Sequence, residues 1–403
     1  MSRFDEIVDR RGSGSYKWDS DSNRELIPLW VADMDFRTAP VVLDALKRRV
    51  EHGVFGYTLV GDDYYRALTD WFGRRHGYEI DRDMVIYTSG VVPAISAIIK
   101  ALVRPGDGVI VQTPVYNCFF SSIRNNGCTI VESPLRRVEV DAHRFTYEMD
   151  FENLERCAAR EDVTMLLLCN PHNPAGRCWR SDELMRVAAI CRRHGVRVVS
   201  DEIHCELTMP GVEYVPYALV DRQVNADAPQ AVVCLSPSKA FNTAGLQIAN
   251  IVCPDADVRA LVDRAININE VCDVNPFGVE GLKAAYTPEG AAWLDELREY
   301  LQENYEFTCN FLAAELPGCP VTVLEATYLP WVDVRRFGIP SEEMEERMRR
   351  EADVWVNCGE MYGKGGYLRL NIACPRAVLA EGLRRVAVWL NNQPGIMPDE
   401  NKE

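Results

Sequence analysis

The stretch Ala231-Val232-Val233-Cys234-Leu235-Ser236-Pro237-Ser238-Lys239 joins an apolar run to a lysine in small, polar company. Residues 231–235 are typical of a buried strand, and the small and polar residues after them cannot continue one. Burying Lys239 as an ammonium would be costly, but its amine could form a Schiff base with a carbonyl cofactor. Because most lysines are exposed, a solvated loop lysine remains the alternative on this stretch alone.

Further apolar runs lie on both sides of this stretch, and helical patterns separate them between about residues 80 and 255. One helix carries apolar side chains at Ile95, Ile98 and Leu102, and another is expected over roughly 181–194. Apolar strands that alternate with helices are typical of an α/β domain. We therefore predict a large domain whose mostly parallel, seven-stranded sheet has helices on both faces. Its strands are expected at 85–88, 108–111, 128–131, 164–169, 196–200, 231–235 and 248–252.

The pattern changes after about residue 280, where a helical stretch over 280–316 is interrupted near Thr287-Pro288-Glu289. This change predicts a smaller α+β domain made of 286–403 and the loop-rich segment 1–45, so that the large domain spans 46–285. The tail 392–403 is expected to fray. Within the small domain, strands are expected at 321–324, 329–334 and 368–372, and helices near 341–351 and 376–391.

Composition excludes several classes of protein. The chain has 403 residues, 47% hydrophobic content and a formal net charge of −16, which argues against a nucleic-acid or anionic-membrane surface. The charged first residues, 1–11, lack a signal-peptide pattern, and no run approaches the length of a membrane span. None of the 14 cysteines forms a Cys-x-x-Cys pair, so we expect reduced thiols in a cytoplasmic protein. The six histidines show no metal-ligand spacing, and no metal is expected.

Other strand ends carry residues that suit a ligand, and ligands of such sheets bind outside the carboxyl ends of the strands. Ser89-Gly90-Val91 opens a helix after strand 85–88. A small-residue turn at a helix N-terminus offers free N–H groups to a phosphate, although an ordinary strand-to-helix connection has the same composition. Tyr116 follows the next strand, where it could stack on a flat ring or fill core space.

Two more strand ends carry polar side chains. Asn170-Pro171-His172-Asn173-Pro174 predicts a loop of defined shape, in which an asparagine could serve its own backbone or donate to a ligand oxygen. Asp201-Glu202-Ile203-His204 follows strand 196–200. Asp201 could hold a pyridine nitrogen in its protonated form or serve the fold, and His204 could be an interior histidine with partners. An amine, a phosphate cradle, an aromatic cover, an amide and an acid together are what pyridoxal 5′-phosphate requires.

The motifs in this chain resemble those of fold-type I pyridoxal-phosphate enzymes of the class I/II aminotransferase superfamily. More closely, the chain resembles the MalY/PatB-type cystathionine β-lyases (C–S lyases), and the resemblance covers essentially the whole sequence. The Asn-Pro and lysine motifs are those of the superfamily, whereas the Ala-Asp-Met-Asp-Phe stretch and Asp-Glu-Ile-His are those of the branch. The motifs are 30–36 (Trp-Val-Ala-Asp-Met-Asp-Phe), 55–57 (Phe-Gly-Tyr), 170–177, 201–204, 238–242 (Ser-Lys-Ala-Phe-Asn) and 369–375 (Arg-Leu-Asn-Ile-Ala-Cys-Pro).

This resemblance implies a role for each matching residue. Lys239 would form the Schiff base with the cofactor, Asp201 would pair with the pyridine nitrogen, and Asn173 would donate to the ring 3′-oxygen. Arg369 would clamp the substrate α-carboxylate, a bidentate task suited to guanidinium. The remaining implied contacts are ring stacking by Tyr116, phosphate contacts by Gly90, Val91 and Ser236, and a contact from Tyr57 to the phosphate of a neighbouring subunit in a homodimer.

Two positions depart from the aspartate aminotransferase pattern. His204 replaces the tyrosine that contacts the ring there, as the β-lyase branch implies. The phosphate-binding arginine, eight residues beyond the lysine, falls at Gln247, so the phosphate must depend more on N–H groups and hydroxyls.

The implied reaction is α,β-elimination of L-cystathionine or a related cysteine thioether, giving homocysteine or another thiol, pyruvate and ammonia. Lys239 would take the Cα proton, and Tyr116 is a candidate acid for the leaving group. Transamination uses the same residues and differs only in where the proton is returned. A regulatory protein that retains the fold is a third hypothesis, against which the intact set of Lys239, Asp201, Asn173 and Arg369 argues.

Overall fold

The computed structural model describes residues 2–268, 270 and 273–393. Helices and strands are numbered separately in chain order. The helices are α1 (Tyr16–Asp19), α2 (Pro40–His52), α3 (Asp62–His76), α4 (Val91–Leu102), α5 (Asn117–Asn125), α6 (Phe151–Ala158), α7 (Ser181–His194), α8 (Tyr217–Val224), α9 (Ala256–Asn267), α10 (Pro276–Ala285), α11 (Pro288–Glu315), α12 (Ser341–Glu351) and α13 (Arg376–Asn391). The strands are β1 (Ile27–Pro28), β2 (Val85–Thr88), β3 (Gly108–Val111), β4 (Thr129–Glu132), β5 (Arg136–Glu139), β6 (Arg144–Glu148), β7 (Val163–Cys169), β8 (Arg197–Asp201), β9 (Val232–Leu235), β10 (Ala249–Val252), β11 (Val321–Thr322), β12 (Trp331–Asp333), β13 (Val354–Trp355), β14 (Asn357–Cys358) and β15 (Tyr367–Arg369).

The central sheet has seven strands in the order β2-β10-β9-β8-β7-β3-β4. Strand β10 is antiparallel to both of its neighbours, and the other adjacent pairs are parallel. The prediction of a mostly parallel, seven-stranded sheet is therefore confirmed. The carboxyl ends of β3, β7, β8 and β9 consequently meet at one edge of the sheet, which is where the candidate ligand-binding residues follow.

Both faces of the central strands are buried, which explains why β3, β7 and β9 are mostly apolar rather than alternating. In β7, Leu166 and Leu168 pack into one core and Met165 and Leu167 into another on the opposite face. The first core includes side chains of α6, α7 and α8, and the second includes side chains of α4, α5 and α9. Helices thus cover both faces, as predicted.

A second sheet has six strands in the order β14-β15-β12-β11-β6-β5. The predicted boundary assigned the hairpin β5–β6 to the large domain 46–285. Strand β6 instead pairs in parallel with β11, with Val321 opposite Arg144. Residues 136–148 therefore share a sheet with strands of 286–403, although the predicted boundary separates these two parts of the chain.

The N-terminal segment contacts the C-terminal part of the chain. Strand β1 pairs in parallel with β13, with Ile27 opposite Val354. Phe4 packs edge-on against Trp293 of α11, with ring centroids 5.6 Å apart. The N-terminal segment is thus anchored to elements of the C-terminal part of the chain.

The helices of the C-terminal part follow the predicted pattern. The break near residue 287 separates α10 from α11, and Thr287 caps α11 by accepting a hydrogen bond from the Gly290 N–H at 3.1 Å. Helices α12 and α13 have the predicted bounds. The tail that was predicted to fray spans 392–403, and residues 394–403 lie outside the described part of the chain. Among the described residues, no helix has the length and apolar character that a membrane crossing needs.

Candidate active site

A cavity of about 190 Å³ lies at the carboxyl ends of the central strands. Its walls come from the turns after β2, β7, β8 and β9, from the start of α4, and from one segment of the N-terminal region. The lining residues that the sequence singled out are Gly90, Val91, Tyr116, Asn173, Asp201, His204 and Lys239. These seven residues, which span 149 positions of the sequence from Gly90 to Lys239, thus meet in one cavity.

Lys239 projects into this cavity from the turn after β9. The turn is closed by Ser236, whose Oγ accepts the Ser238 N–H at 3.1 Å and donates to the Ile248 carbonyl at 2.7 Å. Lys239 Nζ donates to the Ala32 carbonyl oxygen at 2.6 Å. Burial and the nearby Arg369 charge lower the pKa of Lys239 to about 8, against the attraction of Asp33 and Asp201. The amine is therefore partly neutral near physiological pH, as a base or nucleophile requires.

Asp201 ends β8 and is 4% exposed. Its Oδ1 accepts a hydrogen bond from the Ile203 N–H at 3.1 Å. Burial raises the pKa of Asp201 to about 6, although this N–H and the Lys239 charge favour the carboxylate. A buried carboxyl group with so little compensation suits a cationic partner in the cavity.

His204 also lines the cavity and is 3% exposed. Burial and the charges of Lys239 and Arg369 lower its pKa to about 3, so the imidazole is neutral. Its Nδ1 atom has no hydrogen-bond partner among the described residues, and its ring meets that of Tyr328 at a centroid distance of 6.4 Å. A buried polar atom without a partner at a cavity wall marks a place where a ligand group can bind.

Asn173 and Arg369 form a pair. Arg369 Nη1 donates to Asn173 Oδ1 at 3.2 Å, and Nη2 donates to the Trp30 carbonyl oxygen at 2.8 Å. The guanidinium lies 4.8 Å from the centroid of the Tyr362 ring, and its buried Nε has no partner in the described chain. Arg369 is 3% exposed, so this buried cation is held by carbonyl oxygens and an aromatic face and is available to an anion.

The N-terminus of α4 faces the cavity through Gly90, Val91 and Val92. No side chain caps this helix, which leaves first-turn N–H groups and the positive end of the helix dipole available to an anion. Gln247, in the left-handed region at φ 52°, also lines the cavity. Lys239 is the only lysine or arginine in the described lining, so a phosphate here would be held mainly by neutral donors.

Of three further residues that the resemblance assigned to the cofactor, one lines the cavity and two do not. Ser236 does not line the cavity, because its hydroxyl is used in the turn before Lys239, whereas Ser238 and Ser89 do line it. Tyr116 lines the cavity, and burial, together with the neighbouring Cys118, raises its pKa well above the usual value. Tyr57 is 96% exposed in the loop before α3 and lies outside the cavity of its own chain.

Sequence reasoning missed the contributions of Ser238 and the Ala32 carbonyl, and it identified Gln247 only as a position that lacks the arginine of aspartate aminotransferase. Ser238 could have been found from its position next to Lys239. The Ala32 oxygen has no signal in the sequence, because every residue carries a carbonyl and only the fold decides which one faces Lys239.

This set of groups fits pyridoxal 5′-phosphate. Unsatisfied N–H donors at α4 suit a phosphate, the poorly compensated carboxyl of Asp201 suits a protonated ring nitrogen, and the Lys239 amine suits an aldehyde. These three groups line a single cavity.

Comparison with known proteins agrees with this arrangement. Cystathionine β-lyase PatB of Bacillus subtilis (strain 168) is 39% identical over 394 residues, which cover 96% of this chain and 100% of that protein. Protein MalY of Escherichia coli (strain K12) is 33% identical over 395 residues, covering 95% of this chain and 97% of its own length. The crystal structure of cystalysin from Treponema denticola, which contains pyridoxal 5′-phosphate, superposes with a TM-score of 0.90 at 32% identity, covering 97% of this chain and 99% of that one. The family model for aminotransferase class I and II matches residues 24–386, and the chain belongs to this family, as its motifs indicated.

Proposed function

We propose that this protein is a pyridoxal-phosphate-dependent carbon–sulfur β-lyase that cleaves L-cystathionine and related cysteine thioethers. The observation that carries the proposal is that Lys239 and Asp201 line one cavity, with Arg369 close enough to lower the pKa of Lys239 and bonded to the lining residue Asn173. Two similar proteins support it: PatB is named a cystathionine β-lyase, and the structure of cystalysin contains pyridoxal 5′-phosphate.

The residues present would hold each part of the cofactor. The first-turn N–H groups at Gly90 and Val91, with the hydroxyls of Ser89 and Ser238, would receive the phosphate. Asp201 would pair with the ring nitrogen and Lys239 with the aldehyde carbon. Tyr116 would cover the ring, and Asn173 and His204 would contact its edge. When bound, pyridoxal phosphate supplies an electron sink for a carbanion at the substrate Cα.

The protein's own groups bind and deprotonate the substrate. Arg369 would orient the α-carboxylate through its guanidinium, which already points donors at the site from a fixed position. Lys239 Nζ, with its pKa near 8, would remove the Cα proton as a general base. Elimination follows if a thiolate then leaves the β-carbon. Tyr116 is a candidate to protonate that sulfur because it lines the cavity and carries a hydroxyl.

The decisive test is product analysis after incubation with L-cystathionine. We expect stoichiometric pyruvate and free thiol, and loss of both in Lys239→Ala. Lys283→Ala, which changes a half-buried lysine of α10 paired with Asp63 and Glu280, serves as the matched control. Formation of pyridoxamine phosphate that a 2-oxo acid acceptor converts back to pyridoxal phosphate, without thiol release, would overturn the lyase assignment in favour of transamination.

We also propose a cytoplasmic homodimer in which Tyr57 reaches the phosphate of the neighbouring subunit. The supporting observation is the loop before α3, where Val54, Phe55, Tyr57 and Leu59 are 54–96% exposed. So many large apolar side chains on one short loop suit burial against a second copy of the chain.

A further inference from the structure

Residues 30–36, which we name the active-site strap, form one wall of the site although they belong to the N-terminal segment. The strap carbonyl oxygens contact both cations of the site. Ala32 O accepts from Lys239 Nζ at 2.6 Å, and Trp30 O accepts from Arg369 Nη2 at 2.8 Å. Any shift of the strap therefore displaces hydrogen-bond acceptors of the amine and the guanidinium together.

Two asparagines fix the strap from the body of the protein. Asn242, three residues after Lys239, donates from Nδ2 to the carbonyls of Met34 and Phe36 at 2.9 Å each and accepts the Met34 N–H at 3.0 Å. Asn371, two residues after Arg369, donates from Nδ2 to the carbonyls of Val31 and Asp33. The strap is thus tied to the segments that carry both cations.

A buried charge cluster holds the strap from its other side. Lys17 is 1% exposed, and its Nζ donates to Asp35 Oδ2 at 2.9 Å and to the Asp33 carbonyl at 3.3 Å. Arg10 donates to Asp35 Oδ1 and to Asp33 Oδ2, each at 2.7 Å. Trp18 Nε1 donates to the same Asp35 Oδ1 at 2.7 Å. Two cations thus balance two carboxylates, and Lys17 is a buried lysine for which the proposed reaction has no direct use.

We propose that Lys17 is a positioning residue, which by neutralising Asp35 of the strap holds the Ala32 and Trp30 carbonyls against Lys239 and Arg369. Without Lys17, Arg10 alone among the cations of this cluster would face both Asp33 and Asp35. One negative charge would then be uncompensated beside a carboxylate that is only 4% exposed, which is costly. Loss of the Lys17 charge would therefore move the strap rather than leave Asp35 in place. The activity part of this inference rests on the proposed function, whereas the position of Lys239 can be measured without it.

The sign of the effect on Lys239 separates positioning from simple electrostatics. Lys239 faces Arg369 and His204 as well as Asp33, Asp201 and Cys118. If the strap stayed in place, removing the positive charge of Lys17 would raise the pKa of Lys239. If the strap moves, Lys239 loses the Ala32 carbonyl and the nearby Asp33 carboxylate, both of which favour the ammonium, and its pKa falls.

The experiment uses Lys17→Met, which keeps the length of the side chain and removes its charge. Cofactor-free protein is mixed with pyridoxal 5′-phosphate at a series of pH values, and the rate of borohydride trapping at Lys239 is measured by mass spectrometry. We expect the midpoint of the pH profile to fall by about one unit. We also expect kcat/KM for the thioether to fall about ten- to a hundredfold, with contributions from both kcat and KM.

Lys17→Met/Asp35→Asn restores the charge balance and should recover most of the wild-type midpoint. Arg385→Met is the matched control, since Arg385 holds the Glu25 carbonyl of the same N-terminal segment at 2.7 Å without touching the strap. If Lys17→Met does not fold, Trp18→Phe removes a single hydrogen bond to Asp35 and should move the midpoint in the same direction.

An unchanged or raised midpoint in a folded variant would overturn the positioning role. A lowered midpoint without any thiol release, even in the wild type, would instead refute the proposed lyase function.

Discussion

At the scale of one residue, the buried Asp201 carboxylate lowers the free energy of unfolding of the protein that contains it. Its folded pKa of about 6 lies above the ordinary value of 3.8. Between these values the folded protein holds a proton that the unfolded chain releases, so stability falls as pH rises from about 4 to 6. At neutral pH the cofactor-free protein therefore carries the whole cost of this buried carboxylate.

We predict that Asp201→Asn stabilises the cofactor-free protein at pH 7 by up to about 3 kcal/mol, since it removes this cost with little change in shape. The gain should vanish below about pH 4, where Asp201 is protonated in both states. The free energy of unfolding in urea, measured at both pH values, checks this expectation. Activity should fall at least about a hundredfold, because an amide cannot hold the ring nitrogen protonated.

Asp70→Asn, at an exposed position on α3, is the control for a change of charge alone and should alter stability little. If Asp201→Asn and the wild type were equally stable at pH 7, the buried Asp201 carboxylate would not destabilise the fold, contrary to this prediction.

Helix α4 shows at the scale of an element how a helix can bind an anion without a charged side chain. Val91 is its first residue, and the N-cap Gly90 has an extended backbone. A first-position N–H has no acceptor within the helix. Proline is compatible with this position, so the N–H can be removed without breaking the helix.

We predict that Val91→Pro leaves the fold intact and weakens binding of pyridoxal 5′-phosphate by about ten- to a hundredfold, the value of one hydrogen bond to a charged group. Titration of the cofactor-free protein, followed by absorbance, measures the affinity. Val91→Ala removes more of the buried side chain but keeps the N–H, and should bind nearly as well as the wild type. Equal weakening by both substitutions would show that packing, rather than the N–H, matters.

Element prediction succeeded where the local signal was strong. Helix α11 begins at Thr287-Pro288, and α13 follows Pro375, both of which are helix-start signals. The hairpin β5–β6 was missed because Arg136, Arg137 and Arg144 interrupt any apolar run, and β5 is only partly covered. Its pairing with β11 depends on a partner 177 residues away in the sequence, from Arg144 to Val321.

At the scale of the whole molecule, the exposed position of Tyr57 lets us predict how two variant subunits behave in a mixed dimer. If Tyr57 acts across the interface, a subunit with Tyr57→Phe and a subunit with Lys239→Ala complement each other. The mixed dimer then has one site with Lys239 from the first chain and Tyr57 from the second.

We predict that co-expression of the two variants recovers about a quarter of the wild-type activity, because half of randomly formed dimers are mixed and each has one intact site. Activity and mass of purified mixed dimers, separated by different tags, check this. If Tyr57 serves its own chain, the mixed dimer gains nothing over the Tyr57→Phe homodimer. A monomer in solution would contradict the proposed assembly altogether.

The sheet class, the lysine and the polar residues that follow each strand can be predicted from the sequence. These features are local, because apolar runs, turn residues and strand ends are readable within a few positions. The fold is needed to establish that Ala32 O faces Lys239, that Ser236 serves the turn while Ser238 reaches the cavity, and that Lys17 bonds to Asp35 of the strap. These contacts join segments up to 207 positions apart, and a backbone carbonyl or a buried ion pair acquires its role from the groups that the fold brings against it.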